Sequence, residues 1–251
     1  MTSEDSHVIL EFFSGIGGMR YAAEAWAELA RDGAPSDVCF LCALFIFILV
    51  HSLLDTYACL YCLGIVGCDG GARRAVRVAA SFEISEVCNR VYKHNFGDAP
   101  LTKSIEHLDA SLLDSFNADT WLMSPPCQPY TSMGKQRDAH DPRARALLHL
   151  TCQVIPKLSA PPTYILLENV NHFQHSQSHT LWLEAMAAAG FVCHEFLLSP
   201  SQLGIPNERL RYYCLGRRRA AAGPGPWDAA LCGSPNAALR ACVSYVVKWA
   251  V

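Results

Sequence analysis

Cys127 stands in the run Trp121-Leu-Met-Ser-Pro-Pro-Cys-Gln-Pro-Tyr130. Each proline there fixes its own φ and drives the residue before it into extended backbone. The cysteine therefore leaves the apolar run Trp121–Met123 on a stiff loop, and a thiol held that way is a candidate nucleophile. The competing reading is an inert buried cysteine, the usual fate of a free thiol. A second apolar run, Tyr164-Ile-Leu-Leu-Glu-Asn-Val170, carries a carboxylate near its end at Glu168. An acid in that place is either a cap or structural hydrogen-bond partner, or a proton donor whose pKa is raised. Arg209 and Arg211 alternate along an extended stretch, so both side chains leave on one face. They are either solvated surface charges or a means of recognising a carbonyl or phosphate.

These residues need a frame, and the sequence supplies one. Val8-Ile-Leu-Glu-Phe-Phe13 is β-branched and aromatic enough to be a strand. Ser14-Gly-Ile-Gly-Gly18 follows as a tight glycine turn, and Met19–Leu29 has apolar residues at helical spacing. A strand, a glycine turn and a helix form a nucleotide-type cradle, in which missing side chains let a ligand approach backbone. Arg20 stands where a dinucleotide fingerprint would carry its third glycine. The turn therefore favours a nucleoside without phosphates, with a purely structural turn as the alternative. Val76–Glu83 is a second strand ending in a carboxylate, placed to hold ribose hydroxyls.

Further along, the pattern predicts a helix over Ile84–Phe96, a weak third strand, and a short loop at Thr102–Glu106. Gly134–Arg145 is polar and charged, either a solvated mobile loop or a lid over substrate. Helices follow at Ala146–Leu158 and Ser178–Gly190, and Phe191–Leu198 and Arg211–Gly216 form an antiparallel closing pair. Strand ends on an open α/β sheet are where such folds place their chemistry. Beyond Arg217 periodicity is lost, apart from a short helical stretch at Leu239–Val251.

Composition sets the outer bounds. A chain of 251 residues can bury one sizeable core. Its net charge of -3 decides nothing about nucleic acid, because a local basic patch would be hidden by averaging. The N-terminus is polar and acidic and lacks the features of a secretory signal. The twelve cysteines are accordingly read as reduced thiols in an intracellular protein, cytoplasmic and with the nucleus as a further compartment.

One region breaks the frame. Val38–Val50 is thirteen consecutive apolar residues. As a membrane span, Val38–Leu54 barely reaches the minimum of about 17 residues and would divide one nucleotide fold. As a zinc site, Cys39, Cys42, Cys59 and Cys62 have a legitimate spacing but lack glycine or proline knuckles. The reading we favour is an insertion foreign to the fold over residues 33–75, with no metal and no membrane. Glu83 lies 66 residues beyond Gly17. The expected interval is about 20, which removing an insert of roughly 45 residues restores.

Taken together, Phe13-Ser-Gly-Ile-Gly-Gly18, Ser124-Pro-Pro-Cys-Gln-Pro129, Glu168-Asn-Val170 and Arg209-Leu-Arg211 resemble the S-adenosylmethionine-dependent cytosine-5 methyltransferases. Tyr164–Val170 and Leu197–Asn207 are most similar to the eukaryotic DNA-methyltransferase-like branch that modifies tRNA. The resemblance covers residues 8–32 and 76–217 and implies a Rossmann-like α/β sheet, incomplete at the C-terminus. The catalytic domain would then span residues 1–219, interrupted by the insert and followed by an irregular tail over 220–251. The resemblance implies that Cys127 adds to carbon 6 of cytosine and that protonated Glu168 donates to ring nitrogen 3. Arg209 and Arg211 would hold the exocyclic oxygen or the flipped nucleotide and raise the thiolate fraction. Phe13, Ile16, Gly17 and Gly18 would line the S-adenosylmethionine site, with Glu83 on the ribose, Ile105 and Glu106 near the adenine, and Ser124 near the reactive end. The implied partner is tRNA, at an anticodon-loop cytosine classically of aspartate tRNA, with DNA as the alternative substrate and a monomer as the expected state. The family's target-recognition region and its final Gly-Asn-Ser-type segment are not found in this sequence. A second reading is therefore an inactive, truncated product that binds only cofactor or RNA.

Overall fold

The computed structural model describes residues 6–29, 76–131, 137–203 and 206–219. The insert at 33–75, its apolar run and four zinc-spaced cysteines, and the tail at 220–251 lie outside the described residues. Among the described residues, no helix is long and apolar enough to cross a membrane.

Six strands form one sheet: β1 (His7–Phe12), β2 (Val76–Phe82), β3 (Thr120–Met123), β4 (Tyr164–Val170), β5 (Phe191–Leu198) and β6 (Arg211–Arg218), in the order β2-β1-β3-β4-β6-β5. β1 pairs in parallel with β2 and β3, and β3 with β4. β6 runs antiparallel to both β4 and β5. Parallel strands covered on both faces need continuous apolar sequence rather than alternation. Accordingly, Trp121–Met123 and Ile165–Leu167 are buried throughout. Phe12 joins the halves of the core, stacking on Phe82 at 5.2 Å and meeting Trp121 at 4.9 Å between ring centroids.

Among the described residues, five helices flank the sheet: α1 (Gly18–Leu29), α2 (Glu86–Phe96), α3 (Ala110–Ser115), α4 (Arg145–His149) and α5 (Gln177–Ala188). α4 runs on through a π turn over Leu150–Val154 and a 3-10 turn over Ile155–Lys157, closing the helix expected there. Ser85 caps α2 by accepting from Cys88 N, and Gly97 ends that helix at φ +82, a conformation that costs glycine little.

Some expectations are corrected. The weak third strand is a single bridge between Phe82 and Leu101, because the segment after α2 pairs for one residue only. α2 begins at Glu86 rather than Ile84, since Ser85 supplies its cap, and Glu83 lies just past β2. The polar stretch before α4 is not a solvated loop over its described part. It forms 3-10 turns at Asp138–His140 and Pro142–Ala144, with Asp141 and Ala144 buried. Its anchor is Asp138, whose carboxylate accepts from the backbone N–H groups of Gln177 and Ser178 and from the Ser178 hydroxyl at the start of α5.

Candidate active site

The register brings every strand-end motif to one edge of the sheet. Phe12 pairs with Phe82 and Met123, and Met123 with Leu167. Glu83, the glycine turn, the Ser124–Cys127 loop and Glu168 therefore follow one another along that edge. β6 enters it from the opposite direction, with Arg211 paired to Val170. The strand order reverses between β1 and β3, and the crevice at such a point is where open α/β sheets bind ligands.

The glycine turn is held from both sides. Glu83 lies on its β2 side, with Oε2 accepting from Gly15 N at 3.0 Å and Oε1 from Ser85 N at 2.8 Å. On the β3 side, Ser124 Oγ donates to Phe13 O at 3.2 Å. Phe13 itself is bent to φ +57, an uncommon conformation for a bulky residue. Gly15, at φ +53, has nothing within 4 Å of where a Cβ would stand, so its outer side is open. Gly17, at φ +95, is closed by contrast: a Cβ there would overlap the Phe96 ring. Ile16 is exposed at 44%, and Ser14 Oγ is buried with no hydrogen-bond partner among the described residues. Ile105 is buried in the core at 5% exposure, in a 3-10 turn capped by Ser104, and Glu106 is half-buried beside it.

The catalytic candidates converge one strand further along. Asn169 Nδ2 donates to Pro125 O at 3.1 Å, and Asn169 Oδ1 accepts from Val170 N at 2.8 Å. This buried amide pins the proline loop to β4 and so places half-buried Cys127 beside the end of the strand that carries Glu168. Cys127 is a free thiol. Glu168 faces Arg211, whose Nε lies 3.5 Å from Oε1, both side chains being 18% exposed. Burial pushes the Glu168 carboxyl above its usual range, and the charges of Arg211 and Arg209 offset part of that rise. Arg209 N donates to Ser199 Oγ at 3.1 Å, which fixes the backbone just before β6.

Two residues were missed from sequence. Asn169 appeared only as part of a motif, although a buried amide beside a proline loop is a ready partner for an orphan carbonyl. Arg143 appeared only as one charge of a polar stretch. Asp141 accepts from Arg143 Nε at 2.9 Å and Nη2 at 2.8 Å, and this two-pronged contact fixes the guanidinium within electrostatic reach of Cys127. The Arg143 hydrogen bonds hold the Asp141 carboxyl well below the usual carboxylate range. Arg211 pairs with Glu168 in this arrangement.

A Rossmann-like sheet with thiol, acid and guanidinium groups at its carboxyl edge defines the class, and comparison with known proteins sharpens it. A model of the C-5 cytosine-specific DNA methylase family matches residues 61–224. A tRNA (cytosine(38)-C(5))-methyltransferase of Spodoptera frugiperda is 35% identical over 220 residues, covering 87% of this chain and 52% of its own length. A DNA (cytosine-5)-methyltransferase of Dictyostelium discoideum is 34% identical over 213 residues, covering 84% of this chain and 44% of its own. Among solved structures, the Entamoeba histolytica methyltransferase EhMeth superposes with a TM-score of 0.62 at 26% identity, covering 87% of this chain and 55% of that one. The chain belongs to the C-5 cytosine-specific DNA methylase family. It spans about half the length of the relatives it matches.

Proposed function

We propose that this chain carries the catalytic sheet of an S-adenosylmethionine-dependent cytosine-5 methyltransferase whose substrate is tRNA. The observation that supports it most is the pair of ties across β3: Ser124 to Phe13 on one side and Asn169 to Pro125 on the other. They set the Cys127 loop between the glycine turn and Glu168, where a nucleophile must stand to serve a cofactor on one side and a base on the other.

The residues present fit the cofactor. The open flank of Gly15 admits a ligand against backbone, and the unpartnered Ser14 hydroxyl is a polar group in need of a partner. Glu83 keeps a lone pair on each oxygen beyond its backbone bonds, enough for ribose hydroxyls. Phe13, Ile16, Gly17, Gly18, Ile105, Glu106 and Ser124 complete the proposed cofactor set. When bound, S-adenosylmethionine supplies an electrophilic methyl group.

The chain's own residues do the rest. Carbon 5 of cytosine is a poor nucleophile. The Cys127 sulfur forms a bond to carbon 6, and the electron pair displaced from the ring double bond enriches carbon 5. Glu168, whose hold on its proton is strengthened by burial, donates to ring nitrogen 3 and draws that pair through the ring. Arg211 and Arg209 hold the exocyclic oxygen, and Arg143, fixed by Asp141, places positive charge on the Cys127 side of the site. Once carbon 5 has gained the methyl group, its proton passes to a base in solvent, which restores the ring double bond and expels the sulfur as thiolate while the proton on ring nitrogen 3 returns to Glu168. The base must leave its stack to reach Cys127, which costs least in a single-stranded loop. That favours tRNA, in the position named for the Spodoptera relative, and the anticodon-loop cytosine of aspartate tRNA is the substrate we propose. The Dictyostelium relative supports DNA as the second reading.

Labelled methyl transfer from S-adenosylmethionine, with total tRNA and a cytosine-containing DNA duplex in competition, tests both readings. Label in tRNA that vanishes with Cys127→Ala supports the first. Label in the duplex alone selects the second, and label in neither ends the enzymatic reading for this chain.

A further inference from the structure

β1 carries an ionisable group in its interior. Glu11 is 1% exposed, between Ser81 of β2 and Leu122 of β3 in register. A carboxyl enclosed like this persists only when hydrogen-bonded, and its partners are specific. Oε1 accepts from Arg20 N at 3.2 Å in the first turn of α1, and Oε2 meets the Tyr92 hydroxyl of α2 at 2.9 Å.

Those two elements fix the far wall of the glycine turn. Tyr92 is fully buried and packs on Phe96 at 4.7 Å, and Phe96 is the ring a Cβ on Gly17 would strike. Phe96 also meets Tyr21 of α1 at 4.5 Å. The Arg20 guanidinium lies 4.4 Å from the Phe96 centroid and pairs with Asp98 at 2.8 Å and Glu24 at 2.8 Å. Glu11 thus joins β1, α1 and α2 at the point where all three meet the Ser14–Gly18 turn.

The geometry points to Glu11 as a positioning residue for the methyl-donor turn, holding α1 and the Tyr92–Phe96 pair so that Gly17 stays packed on Phe96 and Gly15 presents its open side to ligand. This rests on the cofactor reading given above. Glu11 touches neither ligand nor reacting atoms and acts through Arg20 and Tyr92. The groups facing it are Arg20 and Glu24 of α1, Tyr92 of α2 and Ser81 of β2. Burial pushes its carboxyl up to about 8, against the opposing hydrogen bonds from Tyr92 and Arg20, so it holds its proton at neutral pH. Glutamine reproduces that neutral form. Its carbonyl accepts from Arg20 N as Oε1 does, and its amide can keep the Tyr92 contact once that hydroxyl turns from donor to Oε2 into acceptor.

The test compares the full chain with Glu11→Gln and Glu11→Leu by calorimetric titration of S-adenosylhomocysteine and by steady-state methyl transfer, each variant's cooperative melting being checked first. Glu11→Leu is expected to weaken binding by roughly tenfold or more, and to raise the methyl-donor KM by the same factor with kcat held. Glu11→Gln is expected to restore both to within about threefold of the parent chain. Parental affinity in a folded Glu11→Leu chain overturns the positioning role while leaving the cofactor reading intact. So does a loss in Glu11→Gln equal to that in Glu11→Leu. Should Glu11→Leu not fold, Glu11→Gln decides alone through its affinity. Absence of S-adenosylhomocysteine binding in the parent chain overturns the cofactor reading and this inference with it.

Discussion

Two carboxyls with raised pKa stand on the same sheet, Glu11 inside β1 behind the glycine turn and Glu168 near the end of β4 beside the Cys127 loop. Burial raises both, yet their partners differ in kind. Glu11 is sealed behind the glycine turn and answered by a backbone N–H and a phenol. Glu168 is half-buried at the strand edge and answered by guanidinium charge from Arg211 and Arg209. The first environment stores a proton as part of the frame. The second raises the carboxyl's hold on its proton at the strand edge, where the proposed reading places the base. Displaced pKa values mark functional sites only when read together with what surrounds the group.

The largest expected effect lies on the substrate side. Cys127→Ala should reduce methyl transfer at least about 10³-fold, because no other group described here can add to carbon 6. Unchanged S-adenosylhomocysteine affinity in that variant would show that the two halves are separable. Glu168→Gln should lower kcat about 10²- to 10⁴-fold, the range of a lost general acid, with donor affinity again unchanged. A donor-affinity loss equal to the kcat loss would mean that the carboxyls do not divide their work as proposed.

The pH dependence sharpens the contrast. Glu168 must hold its proton to donate, so kcat should fall as pH rises through its elevated pKa. Arg211 lowers that pKa by its charge, so Arg211→Ala should move the alkaline limb of the kcat profile upward. A limb that stays fixed, or shifts down, would dissociate it from Glu168.

Glu11 should register in stability. Its folded pKa of about 8 lies above the ordinary value of 4.5, so the folded chain binds the extra proton between those values. Stability is then fullest below pH 4.5 and declines as pH rises toward 8. The slope contributed is at most about 1.4 kcal/mol per pH unit. Denaturant melts of the parent chain and Glu11→Gln across that window should differ by this slope, and parallel curves would place the titration elsewhere. The smallest effect is expected from Asn169→Ala. Losing the amide that holds the Pro125 carbonyl should cost about 1–3 kcal/mol of stability and loosen the Cys127 loop.

Much of this site was legible because its chemistry sits at the ends of apolar runs. A thiol after Trp121–Met123 and an acid after Tyr164–Leu167 interrupt patterns that a buried strand would otherwise keep. The antiparallel β5–β6 pair followed from two runs joined by a polar stretch, whereas the order of strands in the sheet is set by long-range pairing that no local pattern carries. Glu11 was passed over because one charge inside Val8–Phe13 does not disturb a strand assignment. Its meaning depends on Tyr92, 81 residues away in sequence. The polar stretch after Cys127 looked solvated because it is charged and poor in apolar residues. What orders it is Asp138 reaching the start of α5, across 39 residues to Gln177.

The most direct test is to trap the bond proposed between Cys127 and the pyrimidine. In tRNA carrying 5-fluorocytidine, the carbon 5 position has no proton to lose, so the sulfur cannot be expelled after methyl transfer. Incubation with S-adenosylmethionine should give a denaturation-resistant protein–RNA adduct, and peptide mass mapping should place the nucleotide on the peptide containing Cys127. Methyl transfer to unmodified tRNA, with the fluorinated RNA leaving Cys127 free or attaching to another cysteine, would contradict the account.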